Sequence, residues 1–159
     1  MVPARAESER SGGCGCSGQA AHVTALVDTG CFLALADSDE QHHEAVRIHV
    51  LSTSESLVVP ITVLPEVDYM LERRLGQHAA LAVLQSVVKA EIQLAQVTVR
   101  DVERCVELME RYADAPIGFV DASIVAVAER LGIARILTLD RRHFGMIRPR
   151  HRESFELIP

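Results

Sequence analysis

Two apolar runs in this chain each end on an aspartate. Asp28 follows Val23-Thr24-Ala25-Leu26-Val27 and precedes the turn signal Thr29-Gly30, while Asp140 follows Arg135-Ile136-Leu137-Thr138-Leu139 and precedes Arg141-Arg142-His143. Open parallel sheets carry their functional groups just beyond the carboxyl ends of the strands, so both aspartates suit one crevice. Asp121 follows the apolar flank Ile117-Gly118-Phe119-Val120 and enters the fold partly buried, where a carboxylate needs a partner or a cation. A fourth acid comes from the helix that begins after Pro60 or Pro65, where Glu66 and Asp68 are equally available on different helical faces. Carboxylates crowded together repel unless a hard cation neutralises them, and Mg²⁺ or Mn²⁺ prefers oxygen ligands. The chemistry to expect is metal-dependent attack on a phosphate ester.

Each acid also has a structural explanation. Asp28 and Thr29 could cap a helix at 31–36, Asp140 could cap the short segment after it, and Asp121 could answer a helix dipole. Thr138, two residues before Asp140, points to the same face of its strand and could bond a ligating carboxylate or water. A cation-rich stretch follows: Arg141, Arg142, His143, Arg148, Arg150, His151 and Arg152, with no acid among them. Cations beside an acidic pocket would hold a phosphodiester backbone. His42-His43 point about 100° apart on a helix and do not chelate together, so they receive no role.

The elements that must position these groups alternate. Strands are expected at 23–27, 57–59, 92–97, 135–139 and 155–158. Between them lie helices at about 40–53 (capped by Asp39, with Ala45, Ile48 and Leu51 inward), 61–74 (Val63, Val67, Met70, Leu71, Leu75) and 77–89 (Ala80, Leu81, Leu84, Val87, Val88). Two more follow at 99–112 (Val102, Val106, Met109, Tyr112) and 119–131 (Ile124, Val127, Ala128, Leu131). Gly76 breaks one helix and Gly132 closes another. The alternation implies a parallel sheet with helices on both faces, an α/β three-layer sandwich.

With 159 residues and 48% hydrophobic content the chain makes one domain with a real core, here residues 22–159. Aromatics are 4% and Trp is absent, so aliphatic side chains must fill that core. Residues 1–21 read as a disordered Gly- and Ser-rich tail, and Cys14-Gly15-Cys16 lacks a second pair at zinc spacing. Cys31 and Cys105 fall on apolar positions and read as small core residues. No apolar run approaches the roughly 20 residues that span a bilayer, and no secretory signal opens the chain, so the expected location is the cytoplasm. A net charge of −6 argues against non-specific coating of nucleic acid, though not against an RNA enzyme.

The segments Val-Asp28-Thr-Gly, Pro-Glu66-Val-Asp-Tyr-Met-Leu, Gly-Phe-Val-Asp121-Ala-Ser-Ile-Val-Ala and Leu-Thr-Leu-Asp140-Arg-Arg-His-Phe together resemble a PIN domain, more narrowly the VapC-type toxins. The resemblance runs from about Thr24 to Pro159. It implies that Asp28, Glu66, Asp121 and Asp140 form an acidic quartet, which selects Glu66 over Asp68. It further implies dependence on Mg²⁺ or Mn²⁺. Read from the residues, Asp28, Asp121 and Asp140 would mainly hold that ion with Glu66 assisting, Thr29 and Thr138 would face the substrate, and Arg141, Arg142, Arg148, Arg150 and Arg152 would position its phosphate backbone. RNA cleavage, frequent homodimers and a cognate VapB-type antitoxin complete the expectation. The apolar faces of 40–53 and 61–75 could receive a partner helix, and an antitoxin Arg or Lys could enter the acid cluster. Alternatives are a PIN-like module that binds RNA or a partner without catalysis, and a metal-dependent phosphatase. A haloacid-dehalogenase-type phosphatase needs a second Asp where Gly30 stands, and a receiver domain wants a late Lys where the chain has Arg135.

Overall fold

A computed structural model describes residues 24–115 and 117–159. Val23, the tail at 1–21 and the Cys14–Cys16 pair lie outside them. Five strands form one sheet: β1 (Thr24–Val27), β2 (Ser56–Pro60), β3 (Gln93–Ala95), β4 (Arg135–Leu137) and β5 (Glu156–Ile158). Their order is β3-β2-β1-β4-β5 and every pairing is parallel. The helices are α1 (Thr29–Ala36), α2 (His43–Ser52), α3 (Val63–Leu75), α4 (Gln77–Val88), α5 (Val99–Arg111), α6 (Phe119–Leu131) and α7 (Arg141–Met146). From β1 the chain steps outward to β2 and β3, then returns to the other side of β1 for β4 and β5. Right-handed crossovers therefore send α1–α4 to one face and α5–α6 to the other. This is the expected three-layer α/β/α sandwich.

Parallel strands covered on both faces must be apolar throughout. Ala25, Leu26, Val27, Val59, Ile136 and Leu137 are accordingly buried. Each Val, Leu or Ile side chain so enclosed contributes roughly 1.5–3 kcal/mol. Helix α6 lies between the sheet and α5, and it is buried without a break from Ala122 to Ala128. An amphipathic stripe is not needed where a helix is covered all round. Gly132 ends α6 in the left-handed region (φ 68°), as its position in the sequence predicts. Gly76, at φ 88°, separates α3 from α4. Cys31 and Cys105 are both fully buried.

Three inward faces differ from expectation. On α2 the buried residue is Val46, whereas Ala45 is exposed and Ile48 and Leu51 stand 54% and 71% exposed. Asp39 does not cap α2; its N–H donates to Asp37 Oδ1, and His42 occupies the cap. On α4 the core contacts are Ala79 and Ala80, leaving Leu81, Leu84 and Val88 outside. On α5 the buried set is Asp101, Arg104, Cys105 and Leu108, while Val102, Val106 and Met109 face out. Leu131 is also exposed at the end of α6. Strands β3 and β4 are shorter than predicted because the chain turns away once pairing with β2 and β5 ends.

Candidate active site

The sheet reverses its order between β1 and β4, and the first residues beyond the ends of these two strands build the site. Asp28 directly follows β1, and its N–H donates to Leu137 O on β4 at 3.0 Å. Its Oδ1 accepts from Thr29 N–H at 2.7 Å, which also caps α1, and its Oδ2 accepts from Thr138 Oγ1 at 2.8 Å. The capping and functional explanations of Asp28 are therefore compatible: the bond that starts the helix also fixes the carboxylate. Thr138 is buried, and its oxygen accepts the N–H of Asp140 at 2.9 Å, so one hydroxyl links the two strand-end aspartates. Asp140 in turn caps α7 by accepting from His143 N–H at 2.9 Å.

Glu66 and Asp121 come from the two helical layers. Glu66, in the first turn of α3, accepts from Thr29 Oγ1 at 2.6 Å. Asp121, in the first turn of α6, accepts from Gly118 N–H at 3.2 Å. All four acids, with Thr29, Arg141 and Arg142, line one open cavity of about 590 Å³. Thr138 lies beneath it through its bond to Asp28.

Burial pushes the Asp28 carboxyl up to about 6, and the Asp121 and Asp140 charges add to the rise against the Thr138 and Thr29 hydrogen bonds. Asp121 is also raised, by burial first, with Asp140 and Glu66 adding to the effect against Gly118 N–H and His143. Each acid thus makes its neighbour harder to ionise. Among the described residues the only basic side chain paired with any of the four is His143, whose Nδ1 is 2.9 Å from Asp140 Oδ2 and 3.9 Å from Asp121 Oδ2. An oxygen-rich set with excess negative charge suits a hard divalent cation. Among the described residues no three acid, His or Cys groups already converge on one point, so the acids ring the cavity and do not form a closed cage.

The sequence places His143 among the backbone-holding cations of 141–152, whereas the structure pairs it with Asp140 and Asp121. The signal for the first pairing was the spacing Asp140-x-x-His143, which puts both groups in one helical turn. The 148–152 arginines, by contrast, do not reach the acids. Arg150 N–H donates to Glu129 Oε1 and its guanidinium binds Glu107, along a different groove with Arg104 and Arg130. Arg148 donates to Tyr112 Oη and Gly145 O. A run of cations adjacent in sequence splits once β5 must return beside β4.

A parallel sheet that gathers four acids from both helical layers at its switch point is the arrangement of a PIN domain, and the family model so described matches residues 25–147, a span that contains all four. The chain belongs to this family, in its VapC branch. It is 37% identical over 134 residues to Ribonuclease VapC26 of Mycobacterium tuberculosis, covering 84% of this chain and 99% of the relative. It is 27% identical over 115 residues to the 23S rRNA-specific endonuclease VapC20 of the same species, covering 72% and 88%. The crystal structure of VapC20, a Sarcin-Ricin loop cleaving toxin, superposes with a TM-score of 0.71 at 25% identity, covering 75% of this chain and 92% of that one. The DNA-bound VapBC of Salmonella typhimurium shares the fold, with a TM-score of 0.61 at 19% identity over 85% and 96% of the chains.

Proposed function

We propose that this protein is the toxin of a VapBC-type toxin–antitoxin pair, a Mg²⁺- or Mn²⁺-dependent endoribonuclease that acts in the cytoplasm. The observation that carries this reading is the meeting of Asp28, Glu66, Asp121 and Asp140, from four separate segments, around one cavity with Arg141 and Arg142 on its rim. Asp28, Asp121 and Asp140 would hold the cation, with Glu66 assisting. When bound, such a cation supplies Lewis acidity toward a phosphodiester and lowers the pKa of water. The chain's own residues do the rest. Thr29 N–H and Thr138 Oγ1 fix both oxygens of Asp28, so its carboxylate needs little reorganisation. Thr29 Oγ1 holds Glu66. His143 Nδ1, between Asp140 and Asp121, can carry a proton where negative charge is densest. Arg142, with no acidic partner among the described residues, is available to a phosphate. The Arg141 guanidinium already donates to Pro159 O, which orients it beside the cavity.

The two M. tuberculosis relatives are named as RNA-cutting enzymes, and solved relatives occur as VapBC complexes; both facts support an RNA substrate and a VapB-type partner here. A homodimer fits the apolar faces left open on the helices. Among the described residues no helix is long and apolar enough to cross a membrane. The test is cleavage of a labelled RNA in Mg²⁺ or Mn²⁺, with chelator as control. Asp121→Asn should lower the rate by at least about 100-fold, as loss of a metal-site group does. Wild-type cutting by that variant would overturn the assignment. The acids ringing the cavity without converging favours a second reading, an RNA-binding module without catalysis. Binding of the RNA with no cleavage in any divalent ion would select it.

A further inference from the structure

Thr62 and Ser123 lie outside the acidic cavity and have no role in the mechanism above. Thr62 precedes α3, where a threonine hydroxyl ordinarily accepts from a first-turn N–H. It makes no such bond. Its Oγ1 instead lies 2.5 Å from Ser123 Oγ on α6. Ser123 is fully buried, and its hydroxyl donates to Val120 O at 2.7 Å. A hydroxyl has one proton to give, so with that of Ser123 committed to Val120, Thr62 is the donor between the two. Serine inside a helix is a poor choice locally, and its bond back to the preceding turn weakens the helix slightly. Alanine would serve better among the apolar neighbours of Ala122–Ala128. Both residues forgo their best local option, and the result is one hydrogen bond between α3 and α6.

Those helices carry Glu66 and Asp121. Glu66 is four residues after Thr62, so it stands one turn along on the same face, and Asp121 is two residues before Ser123. Glu66 and Asp121 line the same cavity as Asp28 and Asp140, so their like charges repel there. The Thr29 bond ties Glu66 to α1, not to α6.

We propose that Thr62 and Ser123 are positioning residues whose hydroxyl pair fixes the spacing of Glu66 and Asp121 against their repulsion before a divalent cation arrives. The inference rests on the reading that these acids hold such a cation. Removing the bond lets the two helix starts separate, so the cation must draw them back. Affinity for the cation falls, while turnover at saturating cation recovers. Mn²⁺ alone is the probe, followed by titration calorimetry on full-length wild-type, Thr62→Val, Thr62→Ser and Ser123→Ala proteins, each checked for a cooperative unfolding transition. Thr62→Val and Ser123→Ala should each bind Mn²⁺ about tenfold more weakly, the scale of a lost supporting bond behind a metal ligand. Thr62→Ser should match wild type. RNA cleavage by Thr62→Val should need more Mn²⁺ for half-maximal rate yet reach the wild-type maximum. In cation-free protein, amide exchange at Val63, Leu64 and Glu66 and at 119–122 should speed up in Thr62→Val and Ser123→Ala alone. Unchanged Mn²⁺ affinity in folded Ser123→Ala, or a loss in Thr62→Ser equal to that in Thr62→Val, overturns the proposal. If wild type itself binds no Mn²⁺, the metal-dependent reading fails separately, and unaltered amide exchange in the variants would still refute the positioning role.

Discussion

Asp28 combines burial, two hydrogen bonds and two like charges, and these pull its stability and its function in opposite directions. It is 7% exposed, with its carboxyl pushed up to about 6 from an ordinary 3.8. The native state therefore binds this proton more tightly than the unfolded chain, and stability falls as pH rises from about 4 to about 6. Below the unfolded pKa the penalty is absent; above about 6 it is complete. Replacing Asp28 with Asn should raise stability at pH 7.5 by up to about 3 kcal/mol, roughly two pKa units at ~1.4 kcal/mol each. At pH 3.5 the gain should vanish, and urea unfolding at both pH values checks the difference. The same variant should lose RNA cleavage. Which acids would line one cavity was legible from their placement at strand ends and helix starts, with Glu66 selected over Asp68 only by the family pattern. His143 was not legible, because a histidine within an arginine-rich stretch reads as one more surface cation. Its place between two acids depends on Asp121, which arrives from another helix.

Helix α5 shows how an element can be found and its orientation misread. Val102, Val106 and Met109 repeat at 3–4 spacing, but so do Asp101, Arg104, Cys105 and Leu108, and the second stripe is the one that packs. Charges can enter only because α6 supplies partners. Arg104 donates to both oxygens of Glu129 at 2.8 and 2.9 Å, and Arg130 Nε meets Asp101 at 3.0 Å. Asp101 also closes a capping box with Thr98. Those partners lie far along the chain, so periodicity alone favoured the apolar stripe. Breaking a buried pair costs about 3–5 kcal/mol by leaving one charge uncompensated. Glu129→Gln should fall near the low end, about 3 kcal/mol, because Glu107 still contacts Arg104 at 2.9 Å. Replacing Arg104 and Glu129 together with Met and Leu should cost less than Glu129→Gln alone, measured by denaturant midpoint. The acidic cavity lies on other side chains, so the double variant should keep its Mn²⁺ binding.

At the scale of the molecule, alternation of strands and helices gave the class, but not the strand order. Nothing local distinguishes a sheet that grows in one direction from one that reverses, yet the reversal creates the crevice. The misplaced faces have a molecular meaning as well. Leu35, Val50, Val83 and Ile92 line an apolar cavity of about 490 Å³, with Leu84 and Val88 exposed on α4. If these surfaces receive the antitoxin, Leu84→Asp with Val88→Asp should weaken its binding by at least about tenfold, as charges at an apolar interface do. RNA cleavage by the free toxin should be unchanged, and a pull-down beside a cleavage assay separates the two. The strand that carries Asp140 is held from beyond as well: Thr138 N–H donates to Ile158 O at 2.8 Å. Deleting 155–159 should therefore leave the first three strands paired but abolish Mn²⁺ binding, read by calorimetry.

Because β4 slots between β1 and β5, the ribosome delivers the first acid long before the last. At ~5–20 residues per second the interval is on the order of ten seconds, and only afterward can the closing strand dock. Until then the carboxylates that line the cavity cannot all meet, so any chemistry that needs the full set waits for β4 and β5 to dock beside β1.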